Sequence, residues 1–158
     1  MSLAYIALGA NLGDPAATLN AAFDALGKLP ESHLLRRSAL YRTAPIGFTK
    51  QPDFINAVAA LKTDLPAQNL LDRLHDIEQD FGRQRTLHNG PRTLDLDLLL
   101  YDDLQIATPR LHLPHPRLHL RAFVVHPLFE IAPELALPGR GRLAAWLPAV
   151  ATQGITRQ

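Results

Sequence analysis

Gly90-Pro91-Arg92-Thr93-Leu94-Asp95-Leu96-Asp97-Leu98-Leu99-Leu100-Tyr101 reads as a buried strand with two charges set into it. Side chains alternate faces along a strand, so Asp95 and Asp97 point the same way, roughly 7 Å apart at about 3.3 Å per residue. Leu94, Leu96 and Leu98 line the other face and enter a core. Two carboxylates on a half-buried sheet face repel each other and lose hydration, which disfavours folding unless a cation compensates. Hard divalent cations such as Mg²⁺ take carboxylate oxygens, so the pair is a candidate metal platform. The plainer interpretation, two exposed residues at a strand's start, fits less well because Leu98, Leu99 and Leu100 continue the buried stretch.

The chain around this segment has 158 residues, 47% apolar and 20% charged. That suits a single globular domain over 1–158 with a full core. The absence of cysteine excludes disulfides and thiolate metal sites and fits a reducing compartment. No apolar run approaches the ~20 residues of a membrane span. The N-terminus Met1-Ser2-Leu3-Ala4-Tyr5 lacks a secretory pattern. The expected location is the cytoplasm, without a membrane partner. A net charge of +1 argues against a general nucleic-acid binder. The distribution of charge is more telling. Lys28, Lys50 and Lys62 lie early, whereas Arg83, Arg85, Arg92, Arg110, Arg117 and Arg121 follow with no lysine among them. Arginine's planar fork matches phosphate oxygens bidentately. Singly, each is an ordinary surface residue; together, around an Asp pair, they predict a polyanion site.

Tyr5-Ile6-Ala7-Leu8 predicts a strand ending at Gly9. Asp14-Pro15 predicts a helix start with Asp as N-cap, Leu19, Ala22, Phe23 and Leu26 on its inner face, and Gly27 at its end. A strand is expected over 34–43, a loop over 43–52 and a third strand over 54–61. Pro66 opens a second helix with Leu70, Leu71, Leu74, Ile77 and Phe81 facing inward. A polar loop over 83–91 leads into the Asp-bearing strand, and Asp102-Asp103 makes a turn into a short strand near 105–107. Prolines break the last third into short pieces, with a short helix at 143–147. The order strand-helix-strand-strand-helix-strand predicts an α+β, ferredoxin-like fold, a mainly antiparallel sheet with helices packed on one face.

The common nucleotide fingerprints fail. No G-x-x-x-x-G-K-[ST] occurs, and Gly139-Arg140-Gly141-Arg142-Leu143-Ala144 matches G-x-G-x-x-A only on paper, so it is read as a turn. Glu78 reads as a solvated helix residue, and His115 as a loop histidine within Leu113-Pro114-His115-Pro116. Phe54 and Asn56 share a strand face, an aromatic and an amide suited to a flat heterocycle; alone they describe an ordinary half-buried strand. No nucleophilic triad stands out. Residues that position and neutralise fit phosphoryl-type transfer.

Gly90-Pro91-Arg92-Thr93-Leu94-Asp95-Leu96-Asp97-Leu98-Leu99 closely resembles the signature of 6-hydroxymethyl-7,8-dihydropterin pyrophosphokinases, enzymes of folate synthesis. Seven further segments extend the resemblance in order: Tyr5-Ile6-Ala7-Leu8-Gly9-Ala10-Asn11-Leu12-Gly13, Tyr41-Arg42-Thr43, Asp53-Phe54-Ile55-Asn56, Gly82-Arg83, Pro114-His115-Pro116-Arg117, Arg121-Ala122-Phe123 and Pro127-Leu128.

The resemblance implies Mg²⁺-dependent transfer of pyrophosphate from ATP to the hydroxymethyl group of a reduced pterin, leaving AMP. It implies that Asp95 and Asp97 hold two Mg²⁺ and that Arg83 and Arg92 act with them in catalysis. Arg121, Arg85 and His115 would join those arginines around the phosphates, and Glu78, Leu98, Arg110, Leu111 and His112 would surround the adenosine. Thr43, Ala44, Pro45, Ile46, Phe54, Asn56 and Phe123 would form the pterin pocket, with Phe54 and Phe123 sandwiching the ring. Two Mg²⁺ set against two carboxylates and a triphosphate leave negative charge that the arginines would neutralise. Relatives often carry Ser where Ala10 stands, Trp where Asn89 stands and a hydroxyl residue where His112 stands, which bears on loop closure and adenine contact. The loops over 44–52 and 83–91 are expected to close over the substrates. The resemblance implies a monomer, and no fused partner enzyme is indicated. Two rivals use the same residues: a two-metal phosphoesterase or nuclease, and a non-catalytic nucleotide-binding domain of the same fold.

Overall fold

Period-two patterning in the central strands builds a sheet buried on both faces. A computed structural model describes residues 1–45, 50–82 and 93–158. Its main elements are β1 (Ser2–Ala10), α1 (Pro15–Gly27), β2 (Ser32–Arg37), β3 (Tyr41–Thr43), β4 (Phe54–Thr63), α2 (Ala67–Asp80), β5 (Asp95–Tyr101) and α3 (Ala122–Ile131). β4 pairs with β1 on one side and with β2 and β3 on the other. β5 forms an edge beside β1, and Ile155–Arg157 extends the opposite edge beside β3. All of these pairings are antiparallel. With β2 and β3 counted as one broken strand, the order through β5 is βαββαβ, the expected ferredoxin-like arrangement. Among the described residues, no helix is long and apolar enough to cross a membrane.

Ala4, Ile6 and Leu8 of β1, Ala57, Ala59 and Leu61 of β4, and Leu96 and Leu98 of β5 bury one face. Leu19, Phe23 and Leu26 of α1 and Leu70 and Leu74 of α2 cover it. The α1 start is as the sequence predicts: the Asp14 carboxylate accepts from the Ala17 N–H at 3.2 Å, and Pro15 opens the helix. α2 begins one residue after Pro66, which supplies no side-chain cap.

Three expectations are corrected. The helices do not all lie on one face, because α3 covers the other. Its Val124, Val125 and Leu128 pack with Tyr5, Val58, Ala60, Leu99 and Leu100. The sequence hides α3 behind Pro127, which stands inside it. Interior proline ordinarily breaks a helix; here burial and tertiary bonds hold it. Arg36 donates to the Ile131 carbonyl at 2.8 Å, and Glu130 accepts from the Tyr41 hydroxyl at 2.6 Å and from the Ala39 N–H.

The strand expected over 34–43 divides into β2 and β3. Ser38 marks the break: its N–H donates to the Val58 carbonyl, and its hydroxyl replaces the missing backbone acceptor for the Val58 N–H, both at 2.9 Å. Strand β1 also runs past the expected end at Gly9, to Ala10.

A bulge in β5 prepares the site. Pairing passes from Tyr5–Leu100 to Ile6–Leu98, leaving Leu99 as the extra residue. The Leu99 carbonyl accepts from the His115 N–H at 2.9 Å, tying the His115 loop to the sheet.

Candidate active site

The open part of the α3 face lies where β1 ends, β4 and β5 begin and α3 starts. Asp95 and Gly9 are cross-strand partners, as are Gly9 and Asn56. A Cβ at Gly9 would lie 3.0 Å from Asn56 Oδ1, so glycine makes room for the amide. Asn56 is 5% exposed, and its Nδ2 donates to Thr43 Oγ1 at 2.8 Å. A cavity of about 190 Å³ opens here. Thr43, Ala44, Phe54, Asn56 and Phe123 line it together with Asp95, Asp97, Arg121, Gly9 and Arg117. Pro45 is described but is not part of that lining.

A second cavity, of about 470 Å³, lies beyond the β5 edge. Leu98, Arg110, Leu111, His112 and His115 line it, with Leu71, His75, Leu96, Thr108, Pro109 and Pro116. Asp97 lines both cavities. Arg110 forms an ion pair with Asp72 of α2 at the rim. Ile46, Arg83, Arg85, Asn89, Arg92 and most of the two loops expected to close lie outside the described residues.

Glu78 corrects its sequence reading. It is 3% exposed, and its carboxylate accepts from the Leu96 N–H at 2.8 Å. The edge strand therefore receives an acceptor from α2 between its two aspartates, and Glu78 is not part of the second cavity's lining. Burial near the end of an amphipathic helix gave no periodic signal to distinguish it from a solvated residue.

The electrostatics balance locally. Asp95 and Asp97 share the first cavity with Arg117 and Arg121. Burial lowers the Arg121 guanidinium below its ordinary value; Asp97 pulls it back up, Arg117 lowers it further, and Asp95 raises it. Arginine stays charged regardless. The His115 imidazole is pushed down to about 4, first by burial and then by Arg121, against the pull of Asp95. Its Nδ1 accepts from the Arg117 N–H at 3.2 Å, so the neutral ring carries its proton on Nε2.

Among the described residues, no set of three or more His, Cys, Asp or Glu side chains is arranged to hold a metal. Two carboxylates fit a hard cation that keeps waters and takes substrate phosphates for its remaining positions, as Mg²⁺ does. Of the lining residues, Arg117 is legible in the sequence only as one of the six arginines around the Asp pair, and Gly9 and His75 are not legible there as site residues. For Arg117 a signal existed, since it stands four residues before Arg121 in the arginine-rich segment. Gly9 and His75 offered none beyond their places in β1 and α2.

Residues 5–133 match the sequence profile of the 7,8-dihydro-6-hydroxymethylpterin-pyrophosphokinase (HPPK) family. A 2-amino-4-hydroxy-6-hydroxymethyldihydropteridine pyrophosphokinase of Pseudomonas aeruginosa is 47% identical over 153 residues, covering 97% of this chain and 94% of that protein. A protein of the same name from Haemophilus influenzae is 49% identical over 138 residues, covering 87% and 86%. Among solved structures, Plasmodium falciparum HPPK-DHPS, wild type with SDX-DHP, aligns with a TM-score of 0.70 at 13% identity over 94% of this chain. This chain spans 43% of that one, and the likeness is one of fold.

Proposed function

The chain belongs to the 7,8-dihydro-6-hydroxymethylpterin-pyrophosphokinase family, and we propose that ATP is the donor and Mg²⁺ the metal of the pyrophosphate transfer it catalyses. The acceptor is hydroxymethyldihydropterin, and the step belongs to folate biosynthesis. In this reading the first cavity takes the pterin and the second the adenosine end of ATP. The β-phosphorus then falls at their junction. The hydroxymethyl oxygen bonds to that phosphorus as its proton passes to solvent, the bond to the oxygen bridging the α-phosphate breaks, and AMP departs.

Each side chain has a task. Phe54 and Phe123 stack on the pterin ring, while Asn56 and Thr43 bond its polar edge. Asp95 and Asp97 hold Mg²⁺, which neutralises phosphate charge and orients the reacting oxygens when bound. Arg117 and Arg121 face the transferring group, and Arg83, Arg85 and Arg92, which precede β5 in sequence, share that task. Neutral His115 donates from Nε2 to a phosphate oxygen. Leu98, Arg110, Leu111 and His112 enclose the adenosine, and Glu78 keeps the Asp-bearing strand in place behind it. The chain acts as a monomer in the cytoplasm.

The observation carrying this reading is that Asp97 borders both cavities, with Asp95 beside it in the first. Asp95→Asn and Asp97→Asn should each lower turnover by about 10³-fold or more, roughly 4 kcal/mol of transition-state stabilisation. Circular dichroism and melting temperature should stay near wild type. Near-normal turnover in either variant contradicts the metal assignment.

A further inference from the structure

The segment 115–123 carries His115, Arg117, Arg121 and Phe123 into the two cavities. It holds only a short 3₁₀ turn, Leu118–Leu120, before α3 begins. Its placement therefore depends on what grips it from outside.

The grip comes from the chain's C-terminal part. Arg140 stands in the tight turn that joins the paired segments Ala136–Leu137 and Gly141–Arg142. Gly139 and Gly141 on either side have φ of +73° and +77°, a left-handed conformation that side chains strain. The turn is locked internally. The Arg140 N–H donates to the Leu137 carbonyl at 3.0 Å, and its carbonyl accepts from Trp146 Nε1 at 3.1 Å. From this base, Arg140 Nη1 donates to the His115 carbonyl at 2.9 Å, and Nη2 lies 3.5 Å from the Pro116 carbonyl. The His115 N–H is already bound to Leu99 in the β5 bulge. The residue is thus held by its N–H to the sheet and by its carbonyl to Arg140. Trp146 adds a second hold, packing edge-on against His119 with ring centres 4.5 Å apart.

Gln153 does the same at the other end. Its Oε1 accepts from the Ala122 N–H at 2.8 Å, and its Nε2 donates to the Leu120 carbonyl at 2.9 Å. One amide therefore bridges the residues before and after Arg121. It also satisfies a first-turn N–H of α3, whose N-cap residue offers no side-chain bond. Arg140 and Gln153 both lie beyond the stretch matching the family, which ends at residue 133.

We propose that Arg140 and Gln153 are positioning residues: they clamp the segment 115–123 so that its imidazole, guanidinium and aromatic groups face the two cavities. The kinetic arm of the test rests on the functional reading above; the exchange arm does not. Arg140 acts through His115 on the nucleotide side. Gln153 acts through Arg121 and Phe123 on the pterin side. Displacements of about 1 Å in positioning groups cost up to 10²-fold in rate, so losses well above twofold are expected.

Amide hydrogen exchange should quicken in 115–123, and not in β4, for both Arg140→Ala and Gln153→Ala. Arg140→Ala should raise KM for ATP about fivefold or more and leave KM for the pterin within twofold. Gln153→Ala should show the reverse pattern. Arg140→Lys, which keeps one donor to the His115 carbonyl, should recover most of the loss. Gln153→Glu, which keeps the acceptor for Ala122 but not the donor to Leu120, should not. Unchanged exchange in 115–123 overturns the clamp, with or without wild-type turnover. Altered exchange with both KM values rising equally, and no rescue by lysine, also overturns it, because that pattern reports general loosening.

Discussion

The two faces of the sheet are built from the same strands and do different work. Beneath α1 and α2, alternating Leu, Ile and Ala side chains pack into a closed core. Beneath α3, only half the face closes. The other half ends at Gly9, Asn56, Asp95 and Asp97 and opens into a cavity. Period two sets this division along the strands: Leu96 and Leu98 enter the closed core, while Asp95 and Asp97 line the cavity. Up to the bulge at Leu99, a strand alternating Leu with Asp sends apolar side chains to the closed core and carboxylates to the cavity, so substitutions there separate by parity.

Leu61→Ala strikes the closed face, where Leu61 is fully buried. It should cost about 2–5 kcal/mol in urea unfolding. Turnover measured well below the melting temperature should remain within twofold. Loss of turnover in the still-folded variant would break the division between faces.

The open face should carry a pH-dependent cost. His115 has its pKa lowered from 6.5 to about 4 in the folded chain. Between those values the unfolded chain takes up a proton that the folded chain refuses. Stability is therefore complete above about pH 6.5 and falls as pH drops toward 4, by about 3 kcal/mol at the lower end. Urea midpoints across this window should flatten in His115→Gln, which removes the titrating ring. An unchanged slope would deny the histidine this burial.

Glu78 joins the faces, reaching from α2 to the backbone of β5. Glu78→Ala should lower stability by about 1–3 kcal/mol, because the buried Leu96 N–H loses its acceptor. Because it lets the Asp-bearing strand shift, it should also lower turnover. Stability lost with turnover intact would show that the strand holds its aspartates without that carboxylate. Phe54→Ala gives the smallest effect: KM for the pterin should rise about tenfold, roughly 1.4 kcal/mol, with the melting temperature nearly unchanged.

Legibility followed the same division. The closed face was readable because Leu19, Phe23, Leu70 and Leu74 repeat at helical spacing and Asp14-Pro15 marks a helix start. α3 was not, because Pro127 interrupts its pattern and the bonds that hold it come from Arg36, Ala39 and Tyr41, far away in sequence. The break between β2 and β3 depends on one serine hydroxyl standing in for a backbone carbonyl. In the site, Asp95 and Asp97 were evident from spacing and charge. Phe54, Asn56 and Phe123 came from resemblance, and their meeting at one cavity depends on cross-strand register that no local pattern encodes. Arg140 carries no local signal beyond its glycine turn, and its reach back to His115 is purely tertiary.

The most direct test is nucleotide analysis after incubating the protein with ATP, Mg²⁺ and 6-hydroxymethyl-7,8-dihydropterin. AMP and the pterin diphosphate should form in equal amounts, with AMP formed only when the pterin is present. AMP released without the pterin, or ADP as the nucleotide product, would contradict pyrophosphate transfer at the junction of the two cavities.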